Sequence, residues 1–135
     1  MSLIHIQAAL EKRLQSLAPA WPTAWENVAF KPVQGQSWQR LSHLINNPRD
    51  MDMARTARRD MGLLQIDVFT PLGGGRLPAM QRAEAIRSHF APILRLTEGT
   101  TVVEINTAPR IAGGMADDAW WRVPVTVAWT SFQTN

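Results

Sequence analysis

Apolar residues recur at Leu3, Ile6, Leu10, Leu14 and Leu17, three or four positions apart. That spacing draws one stripe along a helix and leaves Gln7, Glu11, Lys12 and Gln15 on the wet side. Ser2 stands where an N-cap belongs, and Pro19 marks the exit. A second stripe, Ala79, Ala83, Ile86 and Phe90, predicts a helix over 78–90, with a proline in its first turn and Pro92 just past its end. Elsewhere the period drops to two. Trp121, Val123, Val125, Val127 and Trp129 alternate without a break and predict a strand over 120–130. Leu64, Ile66 and Val68 do the same within 63–70. Weaker alternation predicts strands over 36–46 and 100–107, and 26–31 suits a short one.

Between these elements the pattern lapses. Pro19, Pro22 and Pro32 keep their segment extended or turning. Residues 46–62, NNPRDMDMARTARRDMG, are polar and basic. They read as a long loop with one helical turn about 53–59, and loops of that length tend to be functional or mobile. The order is helix, three strands, helix, two strands, with most connections too short or featureless for helical crossovers. The expectation is a single α+β domain over 1–135. It would be a two-layer sandwich, with a mostly antiparallel sheet of about four to five strands and two helices packed on one face. Pro124 interrupts the donor ladder of the last strand, which implies an edge or a bulge there.

Composition narrows the chemistry. The 135 residues include no cysteine, which excludes disulfides, thiolate nucleophiles and zinc–thiolate sites. No apolar run approaches a bilayer-spanning length, and the first residues do not read as a secretory leader, so no membrane partner is expected. The net charge of +3 permits contact with nucleic acid without demanding it.

The stretch LGGGRLP follows a strand and precedes a helix, the order of a phosphate-binding loop. It lacks the Lys and Ser or Thr of a Walker loop and the spaced glycines of a dinucleotide fingerprint. A flexible strand-to-helix connection is the better reading. His5, His43 and His89 show no ligand spacing. Asp50 with Asp52, and Asp117 with Asp118, lack the further oxygens of a calcium loop. Asp67, mid-strand on the face opposite Leu64, needs a partner such as Arg40 or Arg122 if that face is covered. Trp38-Gln39-Arg40 and Trp120-Trp121-Arg122 interleave aromatics with guanidinium, as single-strand binding surfaces do and as protein interfaces do. Trp121 and Trp129 belong to the core face, and Trp21 and Trp25 suit plugs at the helix-to-sheet junction.

The ordered motifs AWPTAWENVAFKP, SWQRL, GLLQIDVFTP, AEAIRSHF and WWRVPVTVAW resemble the phage tail-terminator-like family, small proteins related to the tail terminator of lambda-type siphophages. The resemblance covers nearly the whole chain. It implies an α+β domain with a helix-covered antiparallel sheet and a structural role without catalysis. Such proteins close the growing tail tube as a ring, typically a hexamer, and present a surface to the head-side connector. The implied partners are the chain itself (or a monomer in isolation), the tail tube protein and the head–tail connector. The implied location is the bacterial host cytoplasm during assembly and then the virion tail. No cofactor, metal or small-molecule substrate is expected. Contact elements are expected in the basic loop at Arg55, Arg58 and Arg59, in the glycine loop Gly73, Gly74, Gly75 and Arg76, and at Trp120 and Arg122. The alternative is a small nucleic-acid-binding module using Trp38, Trp120 and the arginines. A hydrolase or nucleotide enzyme has the least support.

Overall fold

The computed structural model describes residues 2–45, 49–50 and 57–134. The elements in chain order are α1 (Ser2–Gln15), β1 (Thr23–Ala24), β2 (Trp38–Ile45), β3 (Arg49–Asp50), β4 (Ala57–Pro71), α2 (Leu77–His89), β5 (Leu94–Glu98), β6 (Thr101–Ile105), β7 (Arg110–Ile111), β8 (Met115–Asp117) and β9 (Trp120–Thr134). The sheet runs β1-β2-β4-β9-β6-β5, with β3 on β4 and both β7 and β8 on β9. All pairings are antiparallel except β1 with β2.

The expected sandwich of four to five strands is overturned. Among the described residues nine strands form one sheet that curls into a half-barrel, with 43% of residues in strands against 22% in helices. Three further readings change with it. Residues 26–31 form no strand; the short strand is β1, three residues earlier, parallel to β2. The expected loop over 46–62 holds β3 and the first part of β4, whose Arg59 lies opposite Phe132. Of the helical turn expected about 53–59, residues 53–56 lie outside the described residues and the rest is strand. The loop before the last strand holds β7 and β8, too short to show any periodicity.

The register decides which side chains are inside. In β4, Leu64, Ile66 and Val68 lie opposite Val127, Val125 and Val123 of β9, and all six are buried. Leu41 of β2 and Val103 and Ile105 of β6 join them. The α1 stripe supplies Ile6, Leu10 and Leu14; the α2 stripe supplies Ala79, Ala83, Ile86 and Phe90. Each large apolar side chain fully buried in this cluster contributes about 1.5–3 kcal/mol. The alanines of α2 let that helix approach the sheet closely.

Polar groups tie the helices down. Lys12 of α1 bonds Glu98 of β5 at 2.7 Å, while Glu11 reaches His43 of β2 at 2.9 Å, so α1 bridges strands at opposite sides of the curled sheet. At the helix ends, Arg13 Nε donates to the His89 carbonyl at 2.9 Å, and His89 Nε2 lies 2.8 Å from the Arg13 carbonyl. Arg82 is buried on the inner side of α2. It donates to Gln39 Oε1 at 3.1 Å and to the Pro19 carbonyl at 2.8 Å, and its guanidinium lies 4.7 Å from the Trp21 ring centre. Burial lowers its pKa below the ordinary guanidinium value. Arg82 thereby pins the segment between α1 and β2, with Trp21 and Trp25 packed against the core.

Pro124 does not mark an edge. β9 is flanked by β4 on one side and by β6, β7 and β8 on the other. The Pro124 carbonyl accepts from Ala112 N at 2.9 Å, so its missing donor faces the same side, at the interruption between β7 and β8.

At Gly62 an added Cβ would lie 2.6 Å from the Leu44 carbonyl oxygen and 2.7 Å from the Trp129 ring. Gly62→Ala should therefore cost about 1–3 kcal/mol of stability in urea melts, through overpacking. A second prediction concerns pH. Burial pushes His89 below its ordinary 6.5, and the Arg13 and Arg82 charges act the same way against the bond to the Arg13 carbonyl. The fold thus favours neutral imidazole. Its contribution is complete above pH 6.5 and is lost as pH falls from there through the lower folded-state value. As pH falls below about 6.5, wild type should lose stability, and His89→Gln should lose less over the same range.

Candidate interaction surface

The outer face of the sheet, turned away from both helices, alternates with the core positions. It carries Trp38, Arg40, Ser42 and Leu44 of β2, then Met61, Leu63, Gln65, Asp67 and Phe69 of β4, then Trp120 through Phe132 at even positions of β9. This face divides into three regions.

At the upper end an aromatic nest is closed. Trp38 stacks on Phe69 with ring centres 4.0 Å apart and planes 4° from parallel. Phe30 reaches Trp38 from the preceding loop at 5.1 Å, and Trp120 meets it edge-on at 5.8 Å. Trp38 is consequently only 8% exposed, and its ring is not free to stack on a base. Trp120 remains half-buried.

Below it Arg40 Nη2 bonds Asp67 Oδ2 at 2.9 Å and lies over the Phe69 ring at 5.1 Å. Gln65 Nε2 donates to the other carboxylate oxygen at 3.0 Å. Of the two partners the sequence offered for Asp67, Arg40 is the one. Arg122 instead stays within its hairpin, 3.5 Å from Asp117 Oδ2 and 3.1 Å from Met115 Sδ.

At the lower end the face turns apolar. Leu44 lies opposite Leu63, and Leu63 opposite Ala128. Leu44 is 50% exposed, Leu63 37% and Phe132, further along β9, 52%. A groove of about 270 Å³ runs beside this row, lined by Met61, Leu63, Glu104, Ala128 and Thr130 among others. Sequence reading missed the row because its members lie far apart in the chain. The available signal was Leu44 and Leu63 falling on the face opposite the core positions.

The glycine loop sits at the upper end. Leu72 N donates to the Ala119 carbonyl at 3.1 Å and Gly74 N to the Pro71 carbonyl at 3.3 Å, which staples the turn to the β8–β9 hairpin. Gly73 and Gly75 have φ of +89° and +84°, and a Cβ at either would meet nothing within 4 Å. They are required by the backbone turn and not by close approach of a ligand. Pro78 lies in the first turn of α2, and no side chain caps that helix. Leu72 and Leu77 flank the loop, 50% and 58% exposed, beside the exposed Arg76.

The residues expected to make contacts therefore do not form one patch. Gly73–Gly75, Arg76, Trp120 and Arg122 gather at the upper end of the β4–β9 ribbon. Arg58 and Arg59 stand near its lower end, opposite Gln133 and Phe132, and Arg55 lies outside the described residues. At ~3.3 Å per residue the two groups are up to about 40 Å apart along the strand. Among the described residues no group of His, Asp and Glu could hold a metal ion, and no helix is long and apolar enough to cross a membrane.

Breaking the Asp67 pair should be costly, because that carboxylate is 1% exposed. Arg40→Ala leaves the charge buried with the Gln65 amide as its side-chain partner among the described residues and should cost about 2–3 kcal/mol in urea melts. Arg40→Ala combined with Asp67→Asn should recover part of that loss.

Comparisons with known proteins bear on the role of these surfaces. A family model described as phage tail terminator protein matches residues 5–129. Eleven chains of solved structures also match. One of them is 28% identical, covers 100% of this chain and 98% of its own length, and superposes with a TM-score of 0.80. No curated protein matches.

Proposed function

The chain belongs to the phage tail terminator family, and from that premise we propose that its copies close into a hexameric ring that caps the tail tube and offers a surface to the head–tail connector. Membership makes it a structural protein of the phage tail. The finer reading adds self-association, docking on the tail tube protein, and assembly in the host cytoplasm before residence in the virion. A monomer in isolation is compatible with it, since a ring protein can wait for its template.

The observation that carries this reading is the exposed apolar pair Leu44 and Leu63, opposite each other on the outer sheet face, with Phe132 exposed further along β9. An exposed row of this kind marks a surface that meets another protein. The contact elements fit a ring in a second respect. A closed ring uses head-to-tail contacts between two different patches of each subunit. The glycine loop with Arg76, Trp120 and Arg122 is one such patch. Arg58 and Arg59 stand at the opposite end of the same ribbon, where the other would lie. The stacked, buried Trp38 gives the nucleic-acid alternative no support.

Light scattering across concentration, with and without tail tube protein, tests this directly. The wild type should gain mass on meeting the tube. Leu44→Asp with Leu63→Asp should keep the wild-type circular dichroism and lose at least about tenfold in that association, as loss of an interface anchor does. A phage lacking the gene that still made tails of normal, fixed length joined to heads would sink the proposal.

A further inference from the structure

Charges on the outer sheet face do not balance. Among the described residues its carboxylates are each held by an arginine: Asp67 by Arg40 at 2.9 Å, Asp117 by Arg122 at 3.5 Å and Glu104 by Arg95 at 3.3 Å. Two arginines on that face are left over. Arg59 of β4 shares the parity of Met61 and Leu63, and its Nε is buried without a hydrogen-bond partner among the described residues. Arg110 of β7 lies opposite Thr126. Its neighbour Ile111 packs on the core, so Arg110 belongs to the outer side, where it is exposed and has no ion pair among the described residues. Arg49 of β3 holds the register position opposite Arg59. Like charges directly opposite one another weaken a sheet, and a buried donor without an acceptor is costly. A carboxylate from elsewhere would relieve both.

The two arginines bracket the apolar groove. Arg110 stands level with Thr126 and Arg59 level with Phe132, about 20 Å apart along β9. Leu63, Ala128 and Thr130 line the groove between them. The sheet is also open here. Beside β9, β6 stops pairing at Glu104 with Thr130, and β7 begins at Arg110 with Thr126. The Pro124 carbonyl accepts from Ala112 N, so the even residues of β9 turn their backbone groups to this side. Ala128, exposed in the interruption, thus carries a donor and an acceptor that no backbone group meets among the described residues. Thr130 Oγ1 is buried there without a partner as well.

We infer that this groove takes an extended segment of a different protein, one with two carboxylates about six residues apart and apolar side chains between them. Carboxylates suit Arg59 and Arg110, because guanidinium bonds them with charge-assisted geometry. Apolar side chains suit Leu63 and Ala128, and an extended backbone suits the open groups of Ala128. Phosphates would satisfy the arginines but gain nothing from the apolar lining, so the groove favours protein over nucleic acid. A second copy is a poor match in charge. Among the described side chains, Asp118 is the one carboxylate with neither a hydrogen bond nor an ion pair, and two arginines would have to share it. The groove's role rests on the outer face meeting another protein, as proposed above, and it gives Arg59 to that contact.

A labelled peptide, Asp-Ser-Leu-Thr-Leu-Ser-Asp with both termini blocked, tests this by fluorescence anisotropy against the full chain. It should bind at least about tenfold more tightly than the same peptide with Asn for both Asp, and the preference should shrink as salt rises. Arg59→Gln with Arg110→Gln should erase the preference, and Leu63→Asp should weaken both peptides. Equal binding of the two peptides, or a preference that survives the double variant, would overturn the inference. Urea melts of the free chain add a second check. Arg59→Gln should leave the midpoint unchanged or raised, because it removes one of two facing arginines. A lowered midpoint would overturn the inference, since the chain's own residues would then hold Arg59. Self-association of the free chain that Arg59→Gln abolishes would overturn it too, as would an oligonucleotide that displaces the peptide at equal concentration. The peptide stands in for the partner, so a chain that shows the preference yet gains no mass on tail tube protein supports the groove and counts against the cap.

Discussion

Fifteen residues of β4 pair one for one with fifteen of β9, and the parity of that ladder constrains the rest of the molecule. Even positions of β4 and odd positions of β9 face the helices. A slip of one residue by β4 would turn Leu64, Ile66 and Val68 outward and bring Asp67 in; the same slip by β9 would expose its valines and Trp129 and bring Arg122 in. The cost of burying those charges unpaired exceeds anything the slipped pairing returns. Details along the ladder reinforce the register. Gly62 leaves room for the Trp129 ring, Gly114 leaves room for Trp121, and the Pro124 imide falls where no neighbour needs a donor.

The same parity produces the outer face. Because the core positions claim one side, Trp38, Phe69, Asp67, Leu63 and Leu44 have no choice but the other. The chain manages them unequally. Phe30 and the segment before β2 cover the aromatic end, and Arg40 neutralises Asp67. Among the described residues nothing comparable reaches Leu44 and Leu63. The half-barrel curl then lets one helix serve two distant strands, since α1 touches β5 through Lys12 and β2 through Glu11. Both helices are consumed on the inner side, which is why the outer face must find its cover elsewhere.

What could be read from the sequence follows from how local each signal is. The α1 and α2 stripes and the alternation of Trp121 to Trp129 are local, and the buried side chains fall where those periods put them. The first half of β4 was hidden because its inward positions near residue 60 are Asp60 and Gly62, polar or empty in a one-dimensional pattern and buried in the sheet. β7 and β8 exist only as partners of β9, and no run of two or three residues carries a period. Arg82 reads as a solvent residue, yet it is 4% exposed, because Gln39 of β2 and the Pro19 carbonyl and Trp21 ring of the α1–β1 connection wait for it from two other segments. The candidate interaction surface was harder still. Trp38 looked available and is stacked shut, while the exposed row is assembled from β2, β4 and β9, which only the register brings together.

A tail component built this way works by area and repetition. Each candidate contact is small: a few exposed apolar side chains and a stapled loop with one cation. A single such contact is weak, since association must first overcome several kcal/mol of lost translational and rotational freedom. In the proposed ring that cost changes character. Once one copy is seated on the tube, the next meets both the tube and its neighbour, and the second contact forms at the effective concentration set by the first. Strong self-contacts would instead assemble empty rings away from the tube. The half-covered outer face, apolar at one end and closed at the other, is therefore suited to a protein that stays dispersed until a template gathers it.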